Sequence, residues 1–387
     1  MSTTRLRAWW AHRQGLDGAL RGASAAEVLE RTGWARSVGG SAPYLGLFAR
    51  AGLRRPVVDA DVARLAVHEL PSARGCTYVL PAADFALGLA AGAGAPEGEV
   101  AAAERHLGVT RAEIGKLCDA VLDVLGSEPV DPAKLKDAVG AAVRGLGDAG
   151  KKRGVSTTMP LALGLLQAHG EIRRVPVNGR LDQQRYGYVR WTPPAAPSDV
   201  DVELARRYFS WAAPASLKHF RWFSGRTAAA AKKAVESLDL VPLDGTDFLL
   251  PREITEEFEA FAVPREPRYA LVAGIDGIHL LHRDLPRLLD ADDARRPVPG
   301  GKPGATLGAE ADSPCHLIVD RGRVAGLWEF DPDAGKIAYR FFGEEDDALR
   351  EAVAATEEFV RDDLGDARSF SLDSPKSRAP RLAALRA

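Results

Sequence analysis

Two stretches of the chain bring together residue types that could do chemistry. His68 and Glu69, inside HELPSARG (68–75), could act as general base or acid if burial set either beside a reacting group. The plainer reading is a helix-end pair making local hydrogen bonds, with Arg74 opening the strand that follows. The second stretch is EIRRVPVNGRLDQQRYGYVRW (171–191), which holds Arg173, Arg174, Arg180, Arg185 and Arg190. A guanidinium offers five donors in a fixed fork that suits phosphate oxygens, and it also stacks on bases. Tyr186 and Tyr188 interleave with these arginines and could stack on bases or bond phosphates.

Other apparent motifs dissolve on inspection. GLGDAGKK (145–152) fits two phosphate-loop patterns, but it follows a helix and has Lys152 where such a loop needs Ser or Thr. His279 and His282 in HLLH have a metal-like spacing. Their segment reads as a strand, however, which would send the two rings to opposite faces. No Gly-x-Ser-x-Gly elbow accompanies any serine. No metal and no cofactor are expected.

The elements that must position these residues are mostly helices. Ser216 and Thr227 read as N-caps of two consecutive helices separated by Gly225, with a hairpin at Asp244-Gly245 after them. Helix, helix, tight turn, helix and two-stranded ribbon make the winged form of helix-turn-helix. Residues 150–191 repeat the second half of that order, with Asn178-Gly179 as the hairpin turn. Residues 42–82 repeat it less clearly, and residues 96–147 look helical, with Thr110 and Asp131 as caps. From about 265 the pattern turns β-like, suggesting a small barrel or sheet with a packed helix near 345–363 and a basic tail.

The expected fold class is therefore α+β: three tandem winged helices and a C-terminal small β-barrel. The boundaries are 1–95, 96–192 (a helical segment and a second winged helix with the basic wing), 193–262 and 263–387.

The net charge of −2 over 387 residues hides a basic middle. Leu204 to Val235 contains seven Lys or Arg and no acid, and Arg144 to Thr192 contains nine against three. Such a distribution suggests a face for a polyanion. Lys151, Lys152, Arg153, Arg226, Lys232 and Lys233 join the ribbon arginines as expected phosphate contacts. If about six cations meet phosphates, log affinity should fall with log salt at a slope of about −5. Three isolated cysteines suit a reducing compartment, and no apolar run is long enough to span a membrane. The start MSTTRLRAWWAHRQGL does not read as a secretory leader. The expectation is a monomer in the cytoplasm, associated with the nucleoid and bound to double-stranded DNA.

Several segments also carry a family likeness: HRQGL, APYLGLFAR, RGCTYVLPAADF, LARRYFSWAAPASLKHFRWFSG and VDRGRVAGLWEF. Through them the chain resembles the AlkZ/YcaQ-type DNA glycosylases, which excise alkylated bases and unhook interstrand crosslinks. The resemblance implies tandem winged helices around a DNA-binding concavity. It also implies a Gln-apolar-Gln or Gln-apolar-Asp motif just before APYLGLFAR, placing a water for attack on the sugar C1′. Here that position reads Arg36, Ser37 and Val38. Arginine only donates, valine has no polar atom, and serine alone is a feeble base.

Three readings follow. One is a recogniser of damaged or distorted duplex without the usual catalytic motif. Another is a glycosylase using divergent residues, Glu69 or His68 first. The third is a winged-helix transcription regulator.

Overall fold

A helix, a short strand or bridge, further helices and a two-stranded ribbon follow one another three times along the chain, which is described here over residues 2–370 and 372–387 of a computed structural model. After α1 (Thr3–Arg13), the first unit runs α2 (Ala25–Thr32), β1 (Ala35–Arg36), α3 (Ala42–Ala51), α4 (Arg55–Ala63), β2 (Val67–Ser72) and β3 (Cys76–Pro81). Its last strand lies in the middle, so the sheet order is β1-β3-β2. Helices α5 (Phe85–Gly92) and α6 (Gly94–Leu107) lead to the second unit. That unit has α7 (Arg111–Val124), α8 (Pro132–Val139), α9 (Gly147–Lys151), α10 (Met159–Ala168), β4 (Ile172–Pro176) and β5 (Tyr186–Arg190). Val130, between α7 and α8, bridges to Tyr188 of β5, so the last strand is again central.

The third unit is α11 (Val200–Ala212), β6 (Ala215–Ser216), α12 (Leu217–Ser224), α13 (Ala228–Val235), β7 (Leu240–Pro242) and β8 (Phe248–Pro251), with sheet order β6-β8-β7. The short α14 (Thr255–Ala260) closes it.

Local chemistry starts these helices. Ser24 and Thr110 form capping boxes with Glu27 and Glu113, and Asp131, Ser216 and Thr227 each accept a backbone N–H of the turn they open. Gly225 ends α12 at φ 71°, a left-handed geometry that glycine adopts without strain. Helix α10 has Thr158 as its N-cap residue, with no side-chain cap bond.

The remainder is an open sheet rather than a barrel. Strands β9 (Tyr269–Val272), β10 (His316–Asp320), β11 (Arg323–Asp331) and β12 (Lys336–Phe341) pair antiparallel in the order β12-β11-β10-β9, and the two edges do not meet. Four strands are too few to curl into closure, and helices cover the sheet instead. These are α17 (Asp347–Phe359) and α18 (Pro375–Arg386), after the short α15 (Gly277–Leu280) and α16 (Leu285–Leu288). The expected basic tail is α18. Arg378 pairs with Asp366, Arg381 with Glu329 and Asp373, and Arg386 with Asp331, so its three arginines are engaged within the protein.

Three further expectations change. His68 and Glu69 lie in β2, not at a helix end, because Leu65 takes φ 59° and pairing with β3 begins at Val67. The segment of His279 and His282 is a helical turn capped by Asp276, not a strand. Both His279 nitrogens face backbone carbonyls, of Gly274 and Ala311, and His282 Nε2 faces that of Ala212, so the pair is occupied as core. The second ribbon turns through residues 177–185 rather than at Asn178-Gly179 alone, closed by Val177 N–H donating to the Arg185 carbonyl at 2.9 Å.

Buried polar contacts tie the units together. Trp9 and Trp10 of α1 donate their indole N–H to the carbonyls of Ala213 and Pro214 in the third unit. Arg50 of α3 grips Asp276 through two bonds of 2.8 and 2.7 Å, both side chains buried. Removing one partner leaves an uncompensated buried charge. Asp276→Ala should therefore cost about 3–5 kcal/mol in a denaturant titration; a loss under about 1 kcal/mol would show the clasp to be dispensable.

Candidate nucleic-acid cleft beside the first sheet

The first sheet sorts its side chains by parity. Arg36 is paired with Tyr78, and Ala35 and Glu69 with Val79. Directly paired residues share a face and neighbours along a strand alternate, so Arg36, Tyr78 and Leu70 point one way. Ala35, Val79 and Glu69 point the other. Ser37 continues this second set: its N–H donates to the Thr77 carbonyl at 3.0 Å, and its hydroxyl donates to Glu69 Oε1.

On the Glu69 side the carboxyl sits against the second unit's ribbon. Burial pushes its pKa up, while the hydrogen bond from Ser37 and the charges of Arg174 and Arg36 pull it back part of the way. Arg174 itself lies over the Tyr186 ring at 4.6 Å. His68, next to Glu69 in β2, points to the opposite face and is buried between the rings of Phe85 and Trp191. Burial, with Arg173 and Arg174 adding to it, holds its pKa down to about 3, so it stays neutral through the physiological range.

On the Arg36 side lies a cleft of about 430 Å³ between the first sheet, α12 and the start of the C-terminal sheet. Arg36 and Val38 line it, together with Arg74, Trp222, Arg283 and Asp312. The Arg36 guanidinium donates to the Thr77 carbonyl at 2.7 Å and lies over Tyr78 at 5.3 Å, with no carboxylate partner among the described residues. Asp312 is the single acid of the lining, and Arg283 holds it at 2.8 and 2.6 Å. That hydrogen bond keeps its carboxyl below the usual range, making it a weak base.

The loop beyond Ser37 is fixed by close approach. Gly39 has φ +72°, and a Cβ there would meet the Gln184 side chain at 2.4 Å. A Cβ on Gly40 would meet the Arg368 carbonyl oxygen at 2.5 Å. Gln184 and Trp222 are site residues that the sequence alone did not single out, and it held no sign of the contacts that Ser37 and Arg74 make here. None of them carries a local signal, since long-range packing makes the site.

The ribbon is less free than its sequence suggests. Ile172, Tyr188 and Val189 are buried, so both of its faces are partly core. Arg180 is held by Asp182 at 2.8 Å and also donates to the Leu364 carbonyl. Arg190 donates to the Leu122 carbonyl in the last turn of α7, at 2.9 and 2.7 Å, as a helix C-cap would. In the third unit Arg226 is held by Asp201 at 2.8 Å. Lys151 has only a loose contact, 3.5 Å from Asp148. Lys152, Arg153, Arg185, Lys232 and Lys233 are exposed and Arg173 half-buried, all without a carboxylate partner among the described residues. GLGDAGKK contributes α9 and its flanking turns, not a strand–loop–helix phosphate cradle.

A family model described as DNA glycosylase AlkZ-like matches residues 37–359, so the chain belongs to the AlkZ-like DNA glycosylase family. Among solved structures it is similar to the Streptomyces sahachiroi DNA glycosylase AlkZ. The TM-score is 0.70 at 19% identity, over 96% of this chain and 98% of that one, a likeness of fold. No curated protein matches the chain. No described helix is long and apolar enough to cross a membrane.

The raised pKa of Glu69 yields a sign that can be measured. A carboxyl whose folded pKa lies above its unfolded value adds stability at acid pH and loses that contribution as pH rises through the folded value. Glu69→Gln should therefore gain in melting temperature relative to the unsubstituted protein between pH 4 and pH 8. A variant that loses ground over that interval would mean the carboxylate is favoured by its surroundings.

Proposed function

We propose that this protein recognises damaged or distorted double-stranded DNA on a glycosylase-family fold, without the family's usual hydrolytic pair. Its three repeated units are read as winged helices, with boundaries near 1–95, 96–192 and 193–262, followed by the C-terminal sheet unit at 263–387. The observation that carries the reading is the parity of the first sheet. At the family motif position, the side chains turned into the cleft are Arg36 and Val38. Neither can orient and deprotonate a water, because one only donates and the other has no polar atom. The carboxylate that could serve, Glu69, is turned to the other face. The cleft is thus built to hold an anion-bearing group rather than to activate water.

The cations that no carboxylate holds at close range support the same partner. Lys151, Lys152, Arg153, Arg173, Arg174, Arg185, Lys232 and Lys233 are proposed as backbone contacts, with Tyr186 under Arg174. Arg180, Arg190 and Arg226 are assigned to holding the fold, since their donors are already engaged. A monomer in the cytoplasm, acting at the nucleoid, remains part of the reading.

One observation favours an active enzyme instead. Glu69 has a raised pKa and accepts the Ser37 hydroxyl, a pairing seen where a carboxyl works as a general base. A base must be ionised to act, so release driven by Glu69 would grow as pH rises through its raised pKa.

The two readings part in one experiment. The protein is incubated with duplex carrying 7-methylguanine or an interstrand crosslink, and both base release and binding are followed. Binding that prefers the lesion duplex, with no base released, is the expected result. Release that falls by about 100-fold or more in Glu69→Gln would establish the enzyme reading in its place. Tight selection of one undamaged sequence would indicate a transcription regulator.

A further inference from the structure

A slot on the C-terminal unit combines apolar walls with a cation that no acid of the protein pairs. It lies where the last turn of α18 passes the edge strand β12, and it encloses about 150 Å³. Val298, Leu307, Leu327 and Phe342 form much of its wall, with no Asp or Glu in the lining. It shares no lining residue with the cleft beside the first sheet.

Sheet register puts Arg340 there. Arg340 is paired with Leu327 and Ala338 with Glu329, so the four project from one face, the face that α18 covers. That face is core: Leu327 and Ala338 are buried, and Glu329 is taken by Arg381 at 2.7 Å. A guanidinium on a core face ordinarily finds an acid, because drawing it out of water costs free energy. Arg340 is half-buried and has no carboxylate partner among the described residues. Arg296, the other cation of the lining, is engaged. Its Nε donates to Asp293 at 2.7 Å, and it lies over the Phe342 ring at 4.7 Å.

The opposite wall is stiff. Residues 297–306 form a tight loop in which the Val298 N–H donates to the Ala305 carbonyl at 3.1 Å, and Pro297 and Pro299 fix two of its φ angles. The loop is pressed against α18, since a Cβ on Gly300 would stand 3.0 Å from the Arg381 nitrogen. Walls fixed in advance spare a ligand the cost of ordering them. An apolar cavity of about 150 Å³ takes a benzene ring. A single guanidinium fork matches one carboxylate, whereas a phosphate dianion would want further donors that apolar walls do not offer.

We propose that this slot binds a carboxylate carrying one ring-sized apolar group, the group against Leu327 and Phe342 and the carboxylate on Arg340. That chemistry has two sources, a free organic acid or the last residue of another chain that ends in an aromatic side chain. The site does not depend on the DNA reading above.

The full chain is titrated with phenylacetate and with phenylacetamide by ligand-observed NMR, beside Arg340→Gln and Ala384→Phe. Phenylacetate should saturate with a dissociation constant of about 1 mM or tighter, and the neutral amide should bind about tenfold more weakly. Arg340→Gln should weaken phenylacetate about tenfold and the amide by less than about twofold. Ala384→Phe places a ring in the slot from a half-buried position and should weaken both; Arg340→Gln keeps the test open if that variant fails to fold. A short peptide ending in phenylalanine, with its carboxylate free, separates the sources. Tighter binding of that peptide than of phenylacetate identifies a chain end as the ligand, and the reverse identifies a free acid. Acid and amide bound alike, no saturable binding of either, or phenylacetate binding unchanged in Arg340→Gln overturns the site.

Discussion

The lining of the cleft depends on a strand two residues long. β1 pairs Ala35 and Arg36 with Val79 and Tyr78, and that register divides the segment 35–38 between two faces of the sheet. A shift by one residue would exchange them, placing Ser37 in the cleft and arginine against the Glu69 carboxyl. Several contacts hold the register. The Ser37 N–H donates to the Thr77 carbonyl, the Ser37 hydroxyl to Glu69, and the Arg36 guanidinium to Thr77 again. The backbone beyond is confined at Gly39 by its left-handed φ of +72° and at Gly40, where the Arg368 and Ser369 backbone leaves no space for a side chain.

The electrostatics follow a second constraint, competition for guanidinium groups. Arginine forks bind carboxylates as readily as phosphates. In this chain many are committed inside the protein, among them Arg50 to Asp276, Arg180 to Asp182, Arg226 to Asp201 and three arginines of α18 to acids around them. A basic stretch in the sequence is therefore not the same as a basic surface. What decides is which cations lack an ion-paired carboxylate among the described residues, and Arg36 and Arg74 in the cleft are among them, though their charges still act on Glu69 and Asp312.

Much of the architecture is legible in the sequence because its signals are local. Ser216, Gly225 and Thr227 mark two helices and the turn between them; Thr110 and Asp131 start two more. The basic ribbon is a real ribbon, though its turn is longer than Asn178-Gly179 implies. Misreadings arise where tertiary pairing overrides a local pattern. ARLAVHEL has helical apolar spacing, yet its last four residues join a sheet. GIHLL has strand-like composition, yet the Asp276 cap starts a helical turn there. The site is the least legible part. Glu69 is identifiable as a carboxyl of interest, but its partner Ser37 is 32 positions away. The Arg74–Trp222 stack joins units separated by more than a hundred residues of chain. No local pattern encodes such contacts.

The central claim is that the cleft has the family's shape and lacks its hydrolytic side chains. Restoring them tests it directly: Arg36→Gln with Val38→Gln, assayed for release of 7-methylguanine from duplex beside the unsubstituted protein. The account predicts that the double variant frees the base and the parent does not. Release by the parent itself would contradict it, because a base outside the motif position, Glu69 first, would then be at work.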